Sequence, residues 1–151
     1  MTTRSACYSN KGRHCSRTYR SGLEEKNVDF LKSININPHY EEYYLKYTIP
    51  ASEHKYTPDF VLPNGIIIET KGVFDAEDRK KHVLIKAQHP ELDIRFVFSR
   101  SKTPIYKGSK TTYASFCEKN GFKYADKVIP EEWINEPRKC LVKNVLFKKT
   151  K

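Results

Sequence analysis

A strand–turn–strand pattern over residues 59–71 is the feature that most constrains this chain. Residues 59–62 (DFVL) and 66–71 (IIIETK) are dominated by apolar and β-branched side chains, which favour strands. Between them lies Pro-Asn-Gly at 63–65, a composition typical of tight turns. The pattern therefore predicts an antiparallel hairpin.

The loop length predicts which side chains face each other across this hairpin. With Gly65 in the left-handed conformation of a three-residue loop, Leu62 pairs with Ile66 and the register continues outward. Because directly paired residues share a face of the sheet, Asp59 and Glu69 are expected to lie together on one side.

Lys71 follows Glu69 by two positions, so it is expected to point to the same face as the two carboxylates. Two carboxylates can anchor Mg²⁺, which takes oxygen ligands and keeps several waters. A nearby lysine can orient the attacking water or stabilise the charge that develops on a phosphodiester. The arrangement therefore suits metal-dependent phosphodiester cleavage, although an ordinary exposed hairpin would carry the same pattern.

The net charge of +10 is concentrated at the two ends of the chain. Residues 1–20 hold five basic and no acidic residues, and residues 138–151 hold six basic and no acidic residues. The remainder, 21–137, has a net charge of −1. Basic ends on a near-neutral body indicate contact with a polyanion, most simply nucleic acid; the alternative is a pair of solubilising tails.

The four cysteines show no C-x-x-C spacing, so free thiols in a reducing compartment are expected, with a zinc site at Cys7, His14 and Cys15 as the minor alternative. No apolar run approaches membrane-spanning length and the N-terminus lacks a hydrophobic stretch, which predicts no membrane partner and a cytoplasmic location.

Local patterns predict the remaining elements. A helix begins near Ser21, with an apolar face at Leu23, Phe30, Leu31 and Ile34 and a capping-box spacing between Ser21 and Glu24. The other predicted elements follow in order: a strand or ribbon over 39–49, a link over 51–57, a helix over 75–89 with apolar residues Val83, Leu84 and Ala87, an alternating strand over 94–98, a helix over 111–119 closed by Gly121, a short strand over 122–125 and an extended or one-turn segment over 126–137. This order predicts an α/β fold with a mixed central sheet flanked by helices.

The chain resembles the PD-(D/E)xK nuclease superfamily, and more closely the phage endonuclease I family of Holliday-junction resolvases. The similarity covers roughly residues 20–137. Its motifs lie at 20–24 (RSGLE), 49–52 (IPAS), 56–60 (YTPDF), 62–66 (LPNGI), 69–72 (ETKG), 78–82 (DRKKH), 88–95 (QHPELDIR), 106–109 (YKGS) and 116–119 (FCEK). Three regions follow: a basic flexible arm (1–19), a nuclease domain (20–137) and a basic C-terminal tail (138–151).

This resemblance implies a restriction-endonuclease-like fold and a Mg²⁺-dependent enzyme, with Mn²⁺ able to substitute, that cuts branched DNA. It implies that Asp59 and Glu69 bind the metal together with the backbone carbonyl of Thr70, and that Lys71 is the catalytic lysine. It also implies that Glu24 joins the same site as a catalytic residue and a further metal ligand. The family forms an intertwined homodimer, so the first helix and strand are expected to be exchanged between subunits, with 39–50 as the connection. If the protein is phage-encoded, the infected host cell is its location.

Two other functions remain open from the sequence. One is a catalytically silent, structure-specific DNA-binding protein that keeps the scaffold; the intact set of Glu24, Asp59, Glu69 and Lys71 argues against it, because idle buried carboxylates cost stability. The other is a sequence-specific restriction-type nuclease, since residues that read bases follow no fixed motif.

Overall fold

The computed structural model describes residues 19–49, 52–138 and 145–149. In chain order its elements are α1 (Gly22–Ser33), β1 (His39–Tyr40), β2 (Tyr43–Ile49), β3 (Ser52–Tyr56), β4 (Phe60–Val61), β5 (Ile67–Lys71), α2 (Ala76–Gln88), β6 (Ile94–Phe98), α3 (Tyr113–Asn120), β7 (Lys123–Asp126), α4 (Glu131–Ile134) and β8 (Phe147–Lys148). In the part of the chain that is described, no helix is both long and apolar enough to cross a bilayer.

The central sheet has five strands in the order β1-β4-β5-β6-β7. Its first three strands pair antiparallel, whereas β5, β6 and β7 run parallel. A second sheet of three strands, ordered β3-β2-β8, lies beside it. The predicted α/β fold with a mixed central sheet flanked by helices is therefore confirmed.

The central hairpin has the predicted register. Val61 lies opposite Ile67, and the backbone N–H of Leu62 donates to the Ile66 carbonyl at 2.9 Å. Gly65 has a φ of 89°, the left-handed conformation that a residue without Cβ adopts at little cost. Loop length and one glycine thus determine which side chains of β4 and β5 share a face.

Apolar clusters cover both faces of the central sheet. One cluster joins α2, α3 and the β2–β3 hairpin to the sheet through Leu45, Tyr47, Tyr56, Val61, Ile67, Phe74, Ile85, Ile94, Phe96, Phe98, Tyr113, Cys117 and Phe122. The other joins α1 and α4 to the opposite face through Val28, Leu31, Phe60, Leu62, Ile66, Ile68, Val97, Ile129 and Trp133.

Helix α1 starts as predicted, but it buries a different face. Ser21 caps the helix, its Oγ accepting from the Glu24 backbone N–H at 3.2 Å. Of the predicted apolar face only Leu31 is buried; the other buried residues are Glu24, Asn27 and Val28. Hydrophobic periodicity missed this face because two of its members are polar.

The predicted strand over 39–49 is divided in two. Strand β1 joins the central sheet beside β4, whereas β2 leaves it to pair with β3 and β8. Glu41, between them, has a φ of 48°, so the backbone turns there. The predicted link over 51–57 was also wrong, because Ser52–Tyr56 forms β3 through a five-residue register with β2.

Strand β6 and helix α2 depart from the predicted burial patterns. All five residues of β6 are buried, not every second one, because helices cover both faces of a central strand. Its Arg95 is neutralised by Asp93 and Glu136 at 2.7 and 2.6 Å. In α2 the buried residues are His82 and Ile85, and not the apolar residues on which the prediction was based.

The later elements agree with the predictions. Helix α3 ends at Gly121, whose φ is 67°. Helix α4 is a single turn within 126–137, the segment predicted to be extended or to form one turn. Cys117 is a buried free thiol, and burial raises its pKa to about 12.

Several predictions concern residues outside the described ranges. The zinc alternative at Cys7, His14 and Cys15 lies there, as do Cys140 and nearly all of the N-terminal arm. Of the C-terminal tail, residues 138 and 145–149 are described, and β8 within 145–149 pairs with β2. The division into arm, domain and tail stays a prediction.

Candidate active site

Asp59 lies just before β4, where two bonds from Thr70 fix its carboxylate. Its Oδ2 accepts from the Thr70 backbone N–H at 2.8 Å and from Thr70 Oγ1 at 2.7 Å. Both bonds fall on one oxygen, which leaves Oδ1 as the oxygen available to a ligand.

Negative charge is crowded around Asp59. Burial, followed by the charge of Glu69, raises the pKa of Asp59 to about 7, against the lowering effect of its bonds from Thr70. The charge of Glu24 contributes to the same rise. Glu69 and Glu24 therefore both act electrostatically on Asp59, and a cation beside Asp59 would stabilise its ionised form.

Glu69 is buried on β5 with a partner for each oxygen. Oε2 accepts from the Tyr56 hydroxyl at 2.5 Å, and Oε1 lies 3.1 Å from Lys71 Nζ. The carboxylate is thus held between a neutral donor from β3 and an ammonium from its own strand.

Lys71 bridges two carboxylates. Its Nζ lies 3.1 Å from Glu69 Oε1 and 3.1 Å from Asp78 Oδ2 at the start of α2. Burial disfavours the ammonium, but the charges of Glu69 and Asp78 outweigh it and raise the pKa of Lys71 above its ordinary value. Lys71 is therefore a cation at neutral pH, suited to stabilising negative charge and unsuited to acting as a base.

Glu24 reaches this region from α1. Its Oε2 accepts from the Tyr40 hydroxyl at 2.5 Å and from the Arg20 backbone N–H at 2.9 Å. In a capping box this carboxylate would accept from the N-cap residue, Ser21; here it accepts one residue earlier. Glu24 is thus oriented by Tyr40 of β1 as well as by the start of its own helix.

The backbone of Thr70 faces the same side as Asp59. Its N–H donates to Asp59, and in a strand the N–H and C=O of one residue point the same way. The neighbouring Lys71 carbonyl instead accepts from Ser99 N–H at 3.2 Å, on the β6 side. The Thr70 carbonyl is thus directed toward the β4 side of β5, as a shared metal site with Asp59 would require.

Sequence reasoning missed three residues around this cluster: Tyr56, Asp78 and His82. Asp78 also accepts from Lys81 Nζ at 2.6 Å, and although burial alone would raise the pKa of Asp78, Lys81 and Lys71 lower it. Burial lowers the pKa of His82, so its ring is neutral at neutral pH. Asp78 and His82 belong to the 78–82 motif of the sequence, but no spacing rule connects that motif to Glu69.

The basic cluster at Arg79, Lys80 and Lys81 divides into different environments. Arg79 donates to the Phe74 carbonyl at 2.5 Å, and Lys81 pairs with Asp78. Lys80 is exposed, so of the three it is the one whose side chain is open to solvent.

The carboxylates do not form a closed metal cage. No group of three or more His, Cys, Asp or Glu side chains with metal-binding spacing occurs among the described residues. The oxygens present, from Asp59, Glu69 and the Thr70 backbone, are of the kind that Mg²⁺ prefers, and Mg²⁺ usually keeps several waters beside one or two carboxylates. The donor set therefore fits a hard divalent cation bound by few protein ligands.

Comparison with known proteins identifies the family of this chain. The family model described as Phage endonuclease I matches residues 5–151, a wider range than the 20–137 over which the motifs are evident. Endonuclease I of Escherichia phage T7 is 59% identical over 134 residues, which cover 89% of this chain and 90% of that protein. Endodeoxyribonuclease 1 of Enterobacteria phage T3 is 57% identical over 123 residues, which cover 82% of this chain and 81% of that protein. The chain therefore belongs to the phage endonuclease I family.

Proposed function

We propose that this protein is a divalent-metal-dependent endonuclease that resolves branched DNA, such as Holliday junctions, by hydrolysing phosphodiester bonds. Membership of the phage endonuclease I family supports the endonuclease activity. The observation that carries the proposal is the group formed by buried Glu69 and half-buried Asp59 and Lys71, in which two mutually repelling carboxylates lie beside an anchored ammonium.

Asp59 and Glu69 would hold Mg²⁺, with the Thr70 carbonyl and Glu24 as further ligands. When bound, the metal supplies charge stabilisation and water activation at the scissile phosphate. Asp59 suits this role because Thr70 occupies only its Oδ2. Mn²⁺, which prefers similar oxygen ligands, is expected to substitute.

Lys71 would act on the phosphate itself. Its ammonium is held by Glu69 and Asp78 at 3.1 Å each, so it is already placed and charged before DNA arrives. Because little reorganisation is then needed when charge develops, such a donor contributes mainly to the transition state. Binding of DNA would depend instead on basic side chains at the surface and in the two ends.

The active form would be a homodimer with exchanged N-terminal elements. In the single chain, α1 packs on the face of the sheet formed by Phe60, Ile68 and Val97. Domain exchange replaces such contacts with the same contacts from a second copy, so this interface is compatible with exchange. Two sites in one dimer would allow two strands of a junction to be cut, and the similarity to Holliday-junction resolvases favours that substrate.

The test uses two DNA substrates of the same base composition, a four-way junction and a linear duplex. We expect Mg²⁺-dependent cutting of the junction and little cutting of the duplex, with no cutting in EDTA. Lys71→Ala should bind the junction with nearly wild-type affinity and cut it at least about a hundredfold more slowly, the usual effect of removing one electrostatic donor.

Other outcomes would identify other functions. Junction binding without cutting by the wild-type protein would indicate a structure-specific DNA-binding protein. Cutting of the duplex at defined sequences would indicate a restriction-type nuclease. Wild-type turnover by Lys71→Ala would remove Lys71 from the mechanism.

A further inference from the structure

The Tyr56 hydroxyl makes a buried hydrogen bond to a carboxylate of the proposed metal site. Tyr56 lies at the end of β3, in the smaller sheet, whereas Glu69 lies on β5 in the central sheet. The two residues are each 3% exposed, and the hydroxyl donates to Glu69 Oε2 at 2.5 Å. The bond therefore connects the β2–β3 hairpin directly to the candidate active site.

This bond restricts the rotation of the Glu69 carboxylate. A buried carboxylate without donors is costly, and a hydrogen bond to a charged group is stronger than one between neutral groups. With Oε2 on Tyr56 and Oε1 beside Lys71, rotation about the last side-chain bond would break both contacts. Removing the hydroxyl leaves only the contact with Lys71, which is shared with Asp78.

The His82 ring packs against the Tyr56 ring. The two rings meet edge to face with centroids 5.2 Å apart, and the His82 side chain is fully buried. Its Nδ1 lies 2.7 Å from the Asp78 carbonyl; since a carbonyl only accepts, Nδ1 carries the proton. Nε2 lies 3.8 Å from Glu69 Oε1, beyond hydrogen-bond distance, and has no hydrogen-bond partner. His82 thus supports Tyr56 without competing with Lys71 for Glu69.

We propose that Tyr56 is a positioning residue for the metal site: its hydroxyl fixes the Glu69 carboxylate in the orientation that receives the cation, and the His82 ring keeps Tyr56 in place. The inference rests on the proposed metal-dependent function. Groups that orient metal ligands typically contribute 10- to 100-fold to metal affinity or activity.

The first experiment compares Tyr56→Phe with Tyr113→Phe. Tyr113 is a matched control, since it is also buried and its hydroxyl also takes part in one hydrogen bond, from Phe74 N–H at 3.2 Å. We expect Tyr56→Phe to weaken Mn²⁺ binding, measured by calorimetry without DNA, by about tenfold. Tyr113→Phe should leave the affinity unchanged although it lowers thermal stability. Unchanged affinity in a folded Tyr56→Phe protein would overturn the proposal.

A double-mutant cycle tests whether Tyr56 acts through Glu69. If it does, adding Tyr56→Phe to Glu69→Gln should weaken Mn²⁺ binding much less than it does in the wild-type background. An equal loss in both backgrounds would mean that Tyr56 affects the site through general structure, and the positioning role would be wrong.

The third experiment observes the Tyr56 hydroxyl proton in the wild-type protein. A short, buried O–H···O bond should give a slowly exchanging, downfield hydroxyl proton in the NMR spectrum, and this signal should persist at saturating Mg²⁺. Its loss on saturation would show that Glu69 leaves Tyr56 to bind metal, against the proposal. If the wild-type protein bound no divalent cation, the proposed function would be wrong. The contact between Tyr56 and Glu69 is tested separately, because the Tyr56 hydroxyl signal should shift in Glu69→Gln whether or not a cation binds.

Discussion

Asp59 connects the proposed metal binding with the stability of the fold. Burial and the neighbouring Glu69 raise its pKa to about 7, so the folded protein resists ionising a side chain that the unfolded chain ionises near pH 4. A raised carboxyl pKa means that the folded state holds its proton longer as the pH increases. This side chain therefore lowers stability progressively between pH 4 and 7, and the full cost remains above pH 7.

We predict that Asp59→Asn removes this pH-dependent cost. In metal-free buffer, the free energy of unfolding of Asp59→Asn relative to wild type should increase between pH 4 and pH 8, by about 2–4 kcal/mol if the unfolded pKa is ordinary. Urea unfolding at several pH values with EDTA present measures the difference.

An exposed acid on α1, Asp29, provides the control: Asp29→Asn should follow the wild-type pH profile. Saturating Mg²⁺ should recover part of the wild-type loss at pH 8 and leave Asp59→Asn nearly unaffected, because an amide lacks the charge that holds a hard cation. Parallel profiles for wild type and Asp59→Asn would show that Asp59 ionises normally in the folded protein.

For single residues, the sequence predicts which side chains are neighbours when their positions follow from backbone geometry. The strand period and the turn at Gly65 were sufficient to predict the register of β4 and β5, and the two-residue spacing was sufficient to bring Lys71 beside Glu69. Tyr56 and His82 could not be found in this way, because they approach Glu69 from a different sheet and from a helix. Their positions follow from how the elements pack, which no local pattern encodes.

Among the elements, α1 depends on a polar contact for its position. Asn27 is fully buried; its Nδ2 donates to the Lys127 carbonyl at 3.2 Å, and its Oδ1 accepts from Ile129 N–H at 3.0 Å. These bonds join the middle of α1 to the segment before α4. Glu24 lies about one turn earlier on the same helix, so the position of that carboxylate depends on the same docking.

We predict that Asn27→Ala destabilises the protein by about 2–3 kcal/mol, because it leaves the buried Ile129 N–H without a partner and removes the donor to the Lys127 carbonyl. Junction cleavage should decrease as Glu24 loses its position, whereas Mn²⁺ affinity should decrease less, because in the proposed site Asp59 and Glu69 are the main ligands and Glu24 is a further one. Urea unfolding, calorimetry and a nicking assay well below the melting temperature separate these effects.

Lys26→Ala, at the exposed neighbouring position, should change none of the three quantities. If Asn27→Ala were as stable as wild type, the bonds to Lys127 and Ile129 would not be what docks α1.

Element boundaries were predictable where a local signal marks them. The Ser21 and Gly121 caps and the Asn64–Gly65 turn each fixed an end or a register. The break between β1 and β2 at Glu41 was not predictable from local patterns. Strand β3 was not predictable either, because residues 52–56 are largely polar and exposed. Their extended conformation comes from pairing with β2, a tertiary effect that overrides local propensity.

For the whole molecule, the main question is which chain supplies Glu24. Its helix packs on the sheet that carries Asp59 and Glu69, and its charge acts on Asp59. In an exchanged dimer the same contacts form between chains. Each active site would then combine Glu24 of one subunit with Asp59, Glu69 and Lys71 of the other.

A heterodimer of a Glu24→Ala chain and an Asp59→Ala chain distinguishes the two arrangements. With exchange, one site receives both lesions, while the other takes Glu24 from the Asp59→Ala chain and Asp59 from the Glu24→Ala chain and is therefore intact. We predict that this heterodimer nicks one strand of a cruciform plasmid, giving nicked circles without linear product, and that each mutant homodimer is inactive. The two chains are co-expressed or co-refolded with different tags and purified through both. Without exchange each site carries one lesion, so a folded but inactive heterodimer would show that Glu24 does not act across the subunit boundary.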